Sequence, residues 1–228
     1  KFGLCKKGGL YECQYCGLKY SPEEISNLFK IKIDNSDKIN NLLKLARQAK
    51  RNNNWEKCAQ YYEMVMIEDS ENWEASFYAD FSGVVGFSGK KASRIYSVIS
   101  NALDTTLPLI RDTVPDQTEQ ENAVLEIAQD IFDLTKRLNT DVDTYSSANS
   151  VLYVINTLYV TGNKIESVFP DNANYETLIA DLWKSGVKIH FSILDYIADT
   201  KNAKAIIQSY SNKIKQYDED YECPKFKP

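Results

Sequence analysis

Two cysteines near the amino end are the residues whose type and spacing most clearly indicate chemistry. Cys13 and Cys16 are separated by two residues, a spacing at which two thiolates bind one zinc ion. Gly17 follows directly, and a glycine there lets backbone amides turn toward the two sulfurs. The sequence therefore predicts a zinc site in which Cys13 and Cys16 supply two of the four ligands.

The other sulfur and imidazole side chains do not complete this site by spacing. Cys5 has no second cysteine at the same spacing, because position 2 is Phe. We expect Cys5 to pack as a small hydrophobic residue on a hairpin strand, with a role as a further ligand as the alternative. His190 is the only histidine and lies on an apolar helical stripe. It is expected to be a core histidine, since an acid–base pair or a histidine-rich metal site needs a second one.

The segment from Leu10 to Tyr20 resembles the second half of a zinc ribbon. The resemblance is to zinc-ribbon proteins of the uncharacterised bacterial type, in which the ribbon is fused to helical repeats. The resemblance implies a structural zinc and a first C-x-x-C knuckle about a dozen residues before the second. That position falls before or at Lys1, which is not a methionine, so we expect upstream sequence and a zinc site that is incomplete in this chain.

Charge divides the chain into a basic start and an acidic remainder. Residues 1–51 carry 11 Lys and Arg against 5 Asp and Glu, whereas residues 52–228 carry 16 against 27. The basic residues around the predicted ribbon, Lys6, Lys7, Lys19, Lys30 and Lys32, suit a nucleic-acid-binding regulator. The acidic remainder weakens long-range attraction to phosphates. The alternative interpretation is that one part of the chain complements the other.

Apolar residues at helical spacing predict a mainly α protein, a helical bundle or short solenoid of about eight helices. The segment 151–160 is rich in β-branched residues but also fits a helix face. A glycine-rich stretch at 83–89 departs from a phosphate-binding loop and is interpreted as a helix connection. The predicted helices are Ser21 to about Lys30, Ile39–Arg51, Trp55–Glu68, one from Trp73, Ala92–Ile110, one capped at Thr118, Val151–Val160, one capped at Asn174 and extending past Ile197, and Asn202 to about Tyr217.

One part of the helical region, residues 38–83, resembles a tetratricopeptide repeat. The positions that carry the resemblance are a polar turn before Trp55, then Ala59, Tyr62, Asp69, Asn72 and Ala75. The usual proline at the junction is missing. On the second helix of this unit Trp55, Cys58, Ala59, Tyr62, Val65 and Met66 are predicted to be buried. A single repeat cannot bury its faces alone, so we expect it to pack on the helices after it.

The acidic residues are expected to lie on solvated helix faces, as at 141–143. Residues 218–228 combine acids with two prolines and lack periodicity, which is typical of a linker or tail. No catalytic residues are predicted, so the chain is not expected to be an enzyme. An odd, uneven set of five cysteines favours a reducing compartment, and no apolar run approaches the length of a membrane span.

These observations together predict three parts: residues 1–20 as a partial zinc-ribbon hairpin, residues 21–217 as a helical domain and residues 218–228 as a linker or tail. The expected function is that of a cytoplasmic adaptor or scaffold that binds another protein through its helical domain, with zinc serving structure only. A nucleic-acid-binding regulator that uses the basic amino-terminal segment is the alternative.

Overall fold

The computed structural model describes residues 4–14, 17–29, 36–138, 145–170 and 172–226. It confirms a mainly helical protein with a small antiparallel sheet near the amino end. The chain divides into two compact units, Lys1–Asn41 and Leu42–Pro228.

The smaller unit contains a three-stranded antiparallel sheet and one short helix. The strands are β1 (Leu4–Lys7), β2 (Leu10–Cys13) and β3 (Lys19–Tyr20), in the order β1-β2-β3, and helix α1 (Pro22–Phe29) packs on β2 and β3. Gly8 and Gly9 connect β1 to β2 with φ of +56° and +85°. Two successive positive φ angles define the tight turn that matches the twist of a hairpin, and glycine adopts them without strain.

The start of α1 follows the predicted capping pattern. The Ser21 hydroxyl accepts a hydrogen bond from the Glu24 amide at 3.1 Å, and the Glu24 carboxylate accepts one from the Ser21 amide at 2.7 Å. This reciprocal pair satisfies two amides that have no partner within the helix. The helix therefore begins at Pro22, directly after the serine.

Eight further helices follow in the described residues. None of them is both long enough and apolar enough to cross a membrane. Short 3-10 turns at Gly89–Lys91 and Leu194–Tyr196 precede α5 and α9. The helices are α2 (Ser36–Arg51), α3 (Trp55–Glu68), α4 (Trp73–Val84), α5 (Ala92–Thr113), α6 (Gln117–Leu138), α7 (Tyr145–Val168), α8 (Ala173–Ser192) and α9 (Thr200–Tyr217).

Two predicted caps and one predicted helix end are wrong. The α6 amide of Glu119 is capped by the Asp116 carboxylate at 2.9 Å, and α8 is capped by Asn172, not by the predicted Thr118 and Asn174. In both cases an upstream acid or amide side chain reaches the first free amides. Helix α8 ends at Ser192, although apolar residues continue through the following turn. They continue because this turn also faces the core, as the burial of Leu194 demonstrates.

The core of the larger unit lies around α7, which packs on α5, α6 and α8. The β-branched segment within α7 is helical, as predicted. Helices α7 and α8 approach closely at two glycines. A Cβ atom on Gly162 would lie 2.5 Å from Trp183, and one on Gly186 would lie 2.5 Å from Tyr159. Both rings are buried, so each fills the space that the facing glycine leaves open.

The second helix of the repeat-like region agrees only in part with the predicted apolar face. Cys58, Tyr62 and Val65 are buried, Trp55 and Ala59 are half-buried, and Met66 is exposed. The prediction of a buried Met66 is wrong. Met66 follows Val65 by one residue, which is about 100° around the helix, and its side chain is turned to solvent. Tyr62 is fully buried, which meets the expectation for a core residue of the helix pair.

Residues 218–226 contain no helix or strand and lie against α8. Asp218 forms an ion pair with Lys184 at 2.9 Å, and the Phe226 ring lies 5.9 Å from that of Phe191, between ring centroids. Lys184 and Phe191 are two helical turns apart on α8. The segment predicted as a linker therefore contacts α8 at both ends of its described part.

His190 is a buried core histidine, as predicted. It is 2% exposed, its ring lies 6.2 Å from the Tyr159 ring, and burial lowers its pKa from 6.5 to about 4. Burial disfavours the imidazolium because the charged ring loses its hydration. The folded protein thus holds His190 neutral at pH values where an unfolded chain protonates it.

Acidification from pH 7 to pH 5 is therefore expected to lower the free energy of unfolding by about 2 kcal/mol, because only the unfolded state gains a proton on this ring. The stability contributed by neutral His190 is complete above about pH 6.5 and is lost as the pH falls toward 4. Urea unfolding followed by circular dichroism at pH 7, 6 and 5 measures it. His190→Met is the control and should lose most of this slope, since the chain has no other histidine. Equal slopes in both proteins would contradict the assignment.

Candidate binding groove

The turn between α2 and α3 fixes where a groove in the larger unit begins. Asn53 has φ of +55°, the Asn53 amide bonds to the Lys50 carbonyl, and the Asn54 amide bonds to the Ala49 carbonyl at 2.9 Å. This pattern ends a helix with one left-handed residue, and asparagine is the residue after glycine that tolerates it best. Asn54 then caps α3 through the Lys57 amide. The polar turn predicted before Trp55 therefore ends α2 and starts α3.

A buried carboxylate links α2, α3 and α4. Glu74 is the second residue of α4 and is 7% exposed. The Arg47 guanidinium donates from Nε to one of its oxygens at 2.8 Å and from Nη2 to the other, and the Tyr62 hydroxyl donates to it at 2.7 Å. The hydrogen bond to Glu74 raises the pKa of Arg47. Arg47 and Tyr62 together satisfy both oxygens of the carboxylate.

A second polar cluster joins α2, α4 and α6. Lys50 Nζ lies 2.7 Å from a Glu126 oxygen, 2.6 Å from an Asp130 oxygen and 2.8 Å from the Tyr78 hydroxyl. The Tyr78 hydroxyl donates to Asp130 at 2.6 Å. Lys50 Nζ also lies 3.9 Å from the centre of the Tyr78 ring. All three ammonium protons of Lys50 therefore have an acceptor within hydrogen-bond distance.

These two clusters form the walls of a groove of about 480 Å³. Trp55 and Trp73, the first residues of α3 and α4, are half-buried at its sides, and Arg51 and Asn53 are exposed beside them. The groove is lined by Arg47, Lys50, Arg51, Asn53, Trp55, Trp73, Glu74, Glu126 and Asp130. It combines two large aromatic rings with fixed charges.

The groove presents the Arg47 guanidinium as a preset donor, and two buried phenols hold carboxylates of its wall. Burial raises the pKa of Tyr62 and Tyr78, and the neighbouring carboxylates raise both further, so the two phenols stay protonated and donate to Glu74 and Asp130. Arg47 uses two of its five N–H bonds on Glu74, which leaves three for a ligand. The Arg47 side chain is 52% exposed and lines the groove, and its ion pair with Glu74 holds it in one orientation.

The prediction that the acidic residues occupy solvated faces is wrong at Glu74. A glutamate in the first turn of a helix is normally attributed to a favourable interaction with the helix dipole, so its position does not indicate burial. The spacing of Glu74 did indicate it. Glu74, Tyr78 and Phe81 recur at helical spacing, which places the carboxylate on one helix face with two aromatic residues. Arg47 and Lys50 gave no comparable signal in the sequence.

The predicted zinc ligands are only partly described. Cys13 ends β2, and Cys16 lies outside the described residues. Cys5 is an exposed residue of β1 paired with Glu12, the neighbour of Cys13. Because successive strand residues face opposite sides of a sheet, Cys5 and Cys13 point to opposite faces. Within the described ranges no group of three or more Cys, His, Asp or Glu residues is placed to hold a metal ion.

The basic residues of the amino-terminal segment are dispersed over the small sheet. Lys6 lies over the Tyr11 ring at 5.7 Å, Lys7 pairs with Glu12 at 3.8 Å, and Lys19 is exposed on β3. Lys30 and Lys32, the remaining members of the predicted nucleic-acid surface, lie outside the described residues.

A second groove, of about 540 Å³, lies between α6 and α8. It is more apolar, with Leu125 exposed and Phe132 and Leu178 half-buried along its walls. Its lining includes one ion pair, between Asp181 and Lys184 at 3.4 Å, and no tryptophan. The first groove is therefore the stronger candidate for a specific binding site.

Comparison of the chain with protein-family models, with curated proteins and with solved structures gave no match.

Replacing Lys50 with methionine should lower the free energy of unfolding by about 2 kcal/mol, because Asp130 and the Tyr78 hydroxyl lose their cation in a partly buried position. Lys44→Met is the matched control on the same helix. Lys44 is exposed, so this change should stay within about 0.5 kcal/mol.

A double-mutant cycle separates the ion pair from other effects of the substitution. Lys50→Met combined with Asp130→Asn should cost less than the sum of the two single changes, since the pair can be lost only once. Urea unfolding of the four proteins measures this coupling. Strict additivity would show that Lys50 and Asp130 do not interact.

Proposed function

We propose that this protein is a cytoplasmic adaptor that binds a protein partner in the groove formed by α2, α4 and α6. One observation carries the proposal: Trp55, Trp73, Arg47 and Arg51 surround a groove whose walls are fixed by partly buried ion pairs. Tryptophan and arginine are the side chains that contribute most often to the energy of protein interfaces. A groove with its charges already positioned binds without paying to order them.

The amino-terminal hairpin is proposed to be a structural zinc-binding head with Cys13 and Cys16 as ligands. The turn supports this assignment, because the Cys13 carbonyl accepts from the Gly17 amide and the Cys13 amide donates to the Leu18 carbonyl, both at 2.8 Å. Gly17 has φ of +70°, a left-handed conformation that glycine adopts without strain. A zinc ion held by two thiolates here, with ligands supplied from elsewhere, would cross-link the turn.

The zinc-ribbon and tetratricopeptide-repeat resemblances belong to the same proposal. A zinc-ribbon head followed by a tetratricopeptide-like helix pair is the arrangement expected of an adaptor. The presence of free thiols at Cys5, Cys58 and Cys223 supports a reducing compartment.

A photo-crosslinking amino acid at position 53 tests the groove directly. Asn53 lines the groove and is exposed, so a crosslinker there should capture one predominant protein in cells that produce the chain. The same probe in an Arg51→Glu background should lose the product, because a groove cation becomes an anion without touching the core. Mass spectrometry of the crosslinked band gives the readout.

The control for this experiment is Lys44→Glu, which changes charge equally on the exposed side of the same helix and lies outside the groove lining. It should leave the crosslink intact. Capture of nucleic acid in place of protein, or equal loss in both variants, would reject the adaptor.

Cobalt(II) tests the metal site, because thiolate coordination produces near-ultraviolet charge-transfer absorption. The chain titrated with cobalt(II) should develop this absorption, and zinc should displace it. Cys13→Ser and Cys16→Ser should each abolish the signal, since two thiolates are needed at this half-site. Cys5→Ser should leave it unchanged, because Cys5 faces the other side of the hairpin. Loss of the signal with Cys5→Ser would make Cys5 a ligand.

A further inference from the structure

A patch of cations lies at one end of the larger unit, apart from the groove. The five exposed members are Lys90, Lys91, Arg94, Lys136 and Arg137. The first three belong to the 3-10 turn and the first turn of α5, and the last two belong to the final turn of α6. The two sets meet because Gly89 lies beside the end of α6, where a Cβ atom on it would be 3.7 Å from the Leu138 carbonyl oxygen.

The patch is positive in a part of the chain that is otherwise acidic. No Asp or Glu occurs between Asp80 and Asp104, nor between Asp133 and Asp141. Within the described part of the chain, Lys136 has one ion pair, with Asp133 at 4.0 Å, and the other four cations have none. Residues 52–228 carry an excess of 11 negative charges, so this concentration of cations is a local reversal of sign.

An aromatic ring holds two of these cations in place. Lys91 Nζ lies 4.2 Å from the centre of the Phe87 ring, and the Arg94 guanidinium carbon lies 5.3 Å from it. Cations over an aromatic face are restrained at little electrostatic cost, since the ring quadrupole attracts them without neutralising them. The positive charges therefore stay available to an anionic ligand while losing part of their side-chain freedom.

Helix α6 connects this patch to the groove. Asp130 forms part of the groove wall, and Arg137 lies seven residues further along the same face of the helix. Seven residues of helix correspond to about 10 Å, a distance that an extended peptide covers in about three residues. A segment seated in the groove can thus reach the patch along α6.

We propose that the Lys90–Arg137 patch binds an acidic segment of the protein partner, next to the part that occupies the groove. The assignment rests on the proposed adaptor function and specifies the chemistry of its partner. A short run of Asp or Glu fits the patch by charge complementarity. A long polyanion such as DNA or RNA fits less well, because its further phosphates would meet the acidic remainder of the unit.

Binding of a fluorescein-labelled peptide with four consecutive glutamates, measured by anisotropy on the full chain, tests the proposal. The peptide should bind in a salt-dependent manner, and the same peptide with glutamines should bind more weakly by about tenfold or more. Lys90→Glu/Lys91→Glu/Arg94→Glu should weaken the glutamate peptide by about tenfold or more, because three attractive contacts become repulsive. The control Lys188→Glu/Lys201→Glu/Lys215→Glu changes the net charge equally at exposed positions of α8 and α9 and should retain binding.

Three results would overturn the proposal. They are equal affinity for the two peptides, equal loss in the two triple variants, and tighter binding of an oligothymidylate by the same patch. The glutamate peptide carries no residue for the groove, so its failure leaves the crosslink at position 53 as an independent test of the adaptor. Loss of that crosslink with retained peptide binding would instead reject the groove and keep the patch.

Discussion

A single buried carboxylate determines how the first helices of the larger unit are arranged. Glu74 lies on α4, and it receives hydrogen bonds from Arg47 on α2 and from Tyr62 on α3. A carboxylate removed from water costs several kcal/mol unless its partners replace the lost hydration. Only the arrangement that brings these three helices together supplies the partners. Arg47 and Glu74 line the groove, so the contacts that satisfy the buried carboxylate also form the groove wall.

The second cluster extends the same constraint to α6. Lys50 and Tyr78 reach Asp130, which lies 52 residues beyond Tyr78 in the chain. Apolar packing alone tolerates several helix placements of similar energy, whereas a hydrogen-bonded ion pair tolerates few. The apolar core thus supplies most of the stability, and the polar layer above it specifies which surface is presented. The groove and its charges are products of one set of contacts.

Local signals account for the parts of the fold that could be predicted from the sequence. Helix α3 begins at Trp55 as expected, because the preceding Asn54 caps it, and α1 begins after its capping box. The pairing of Glu74 with Arg47 could not be inferred in this way, since the two residues are 27 positions apart and neither signals the other. The end of α8 was also hidden, because apolar spacing continues through the following turn.

The candidate functional residues differ in the same way: some are predicted by a local pattern and others are not. A C-x-x-C spacing is a local pattern, and it predicts a zinc ligand pair that awaits a measurement at Cys13 and Cys16. The groove and the cation patch depend on segments brought together by folding, such as Gly89 beside Leu138. Their residues are ordinary lysines, arginines and acids in the sequence. Position in the folded chain is what distinguishes them.

The contact between α7 and α8 has a mechanical consequence for any partner. The Tyr159 ring packs in a notch, the space left open by Gly186, and the Trp183 ring packs in a second notch at Gly162. On each helix the glycine follows the aromatic residue by three positions. Sliding one helix along the other would drive both rings into backbone, so shear motion is blocked along this pair. Any shift of helices on binding a partner must then occur between helices that lack such notches. The α7–α8 pair then serves as the fixed frame against which those movements occur.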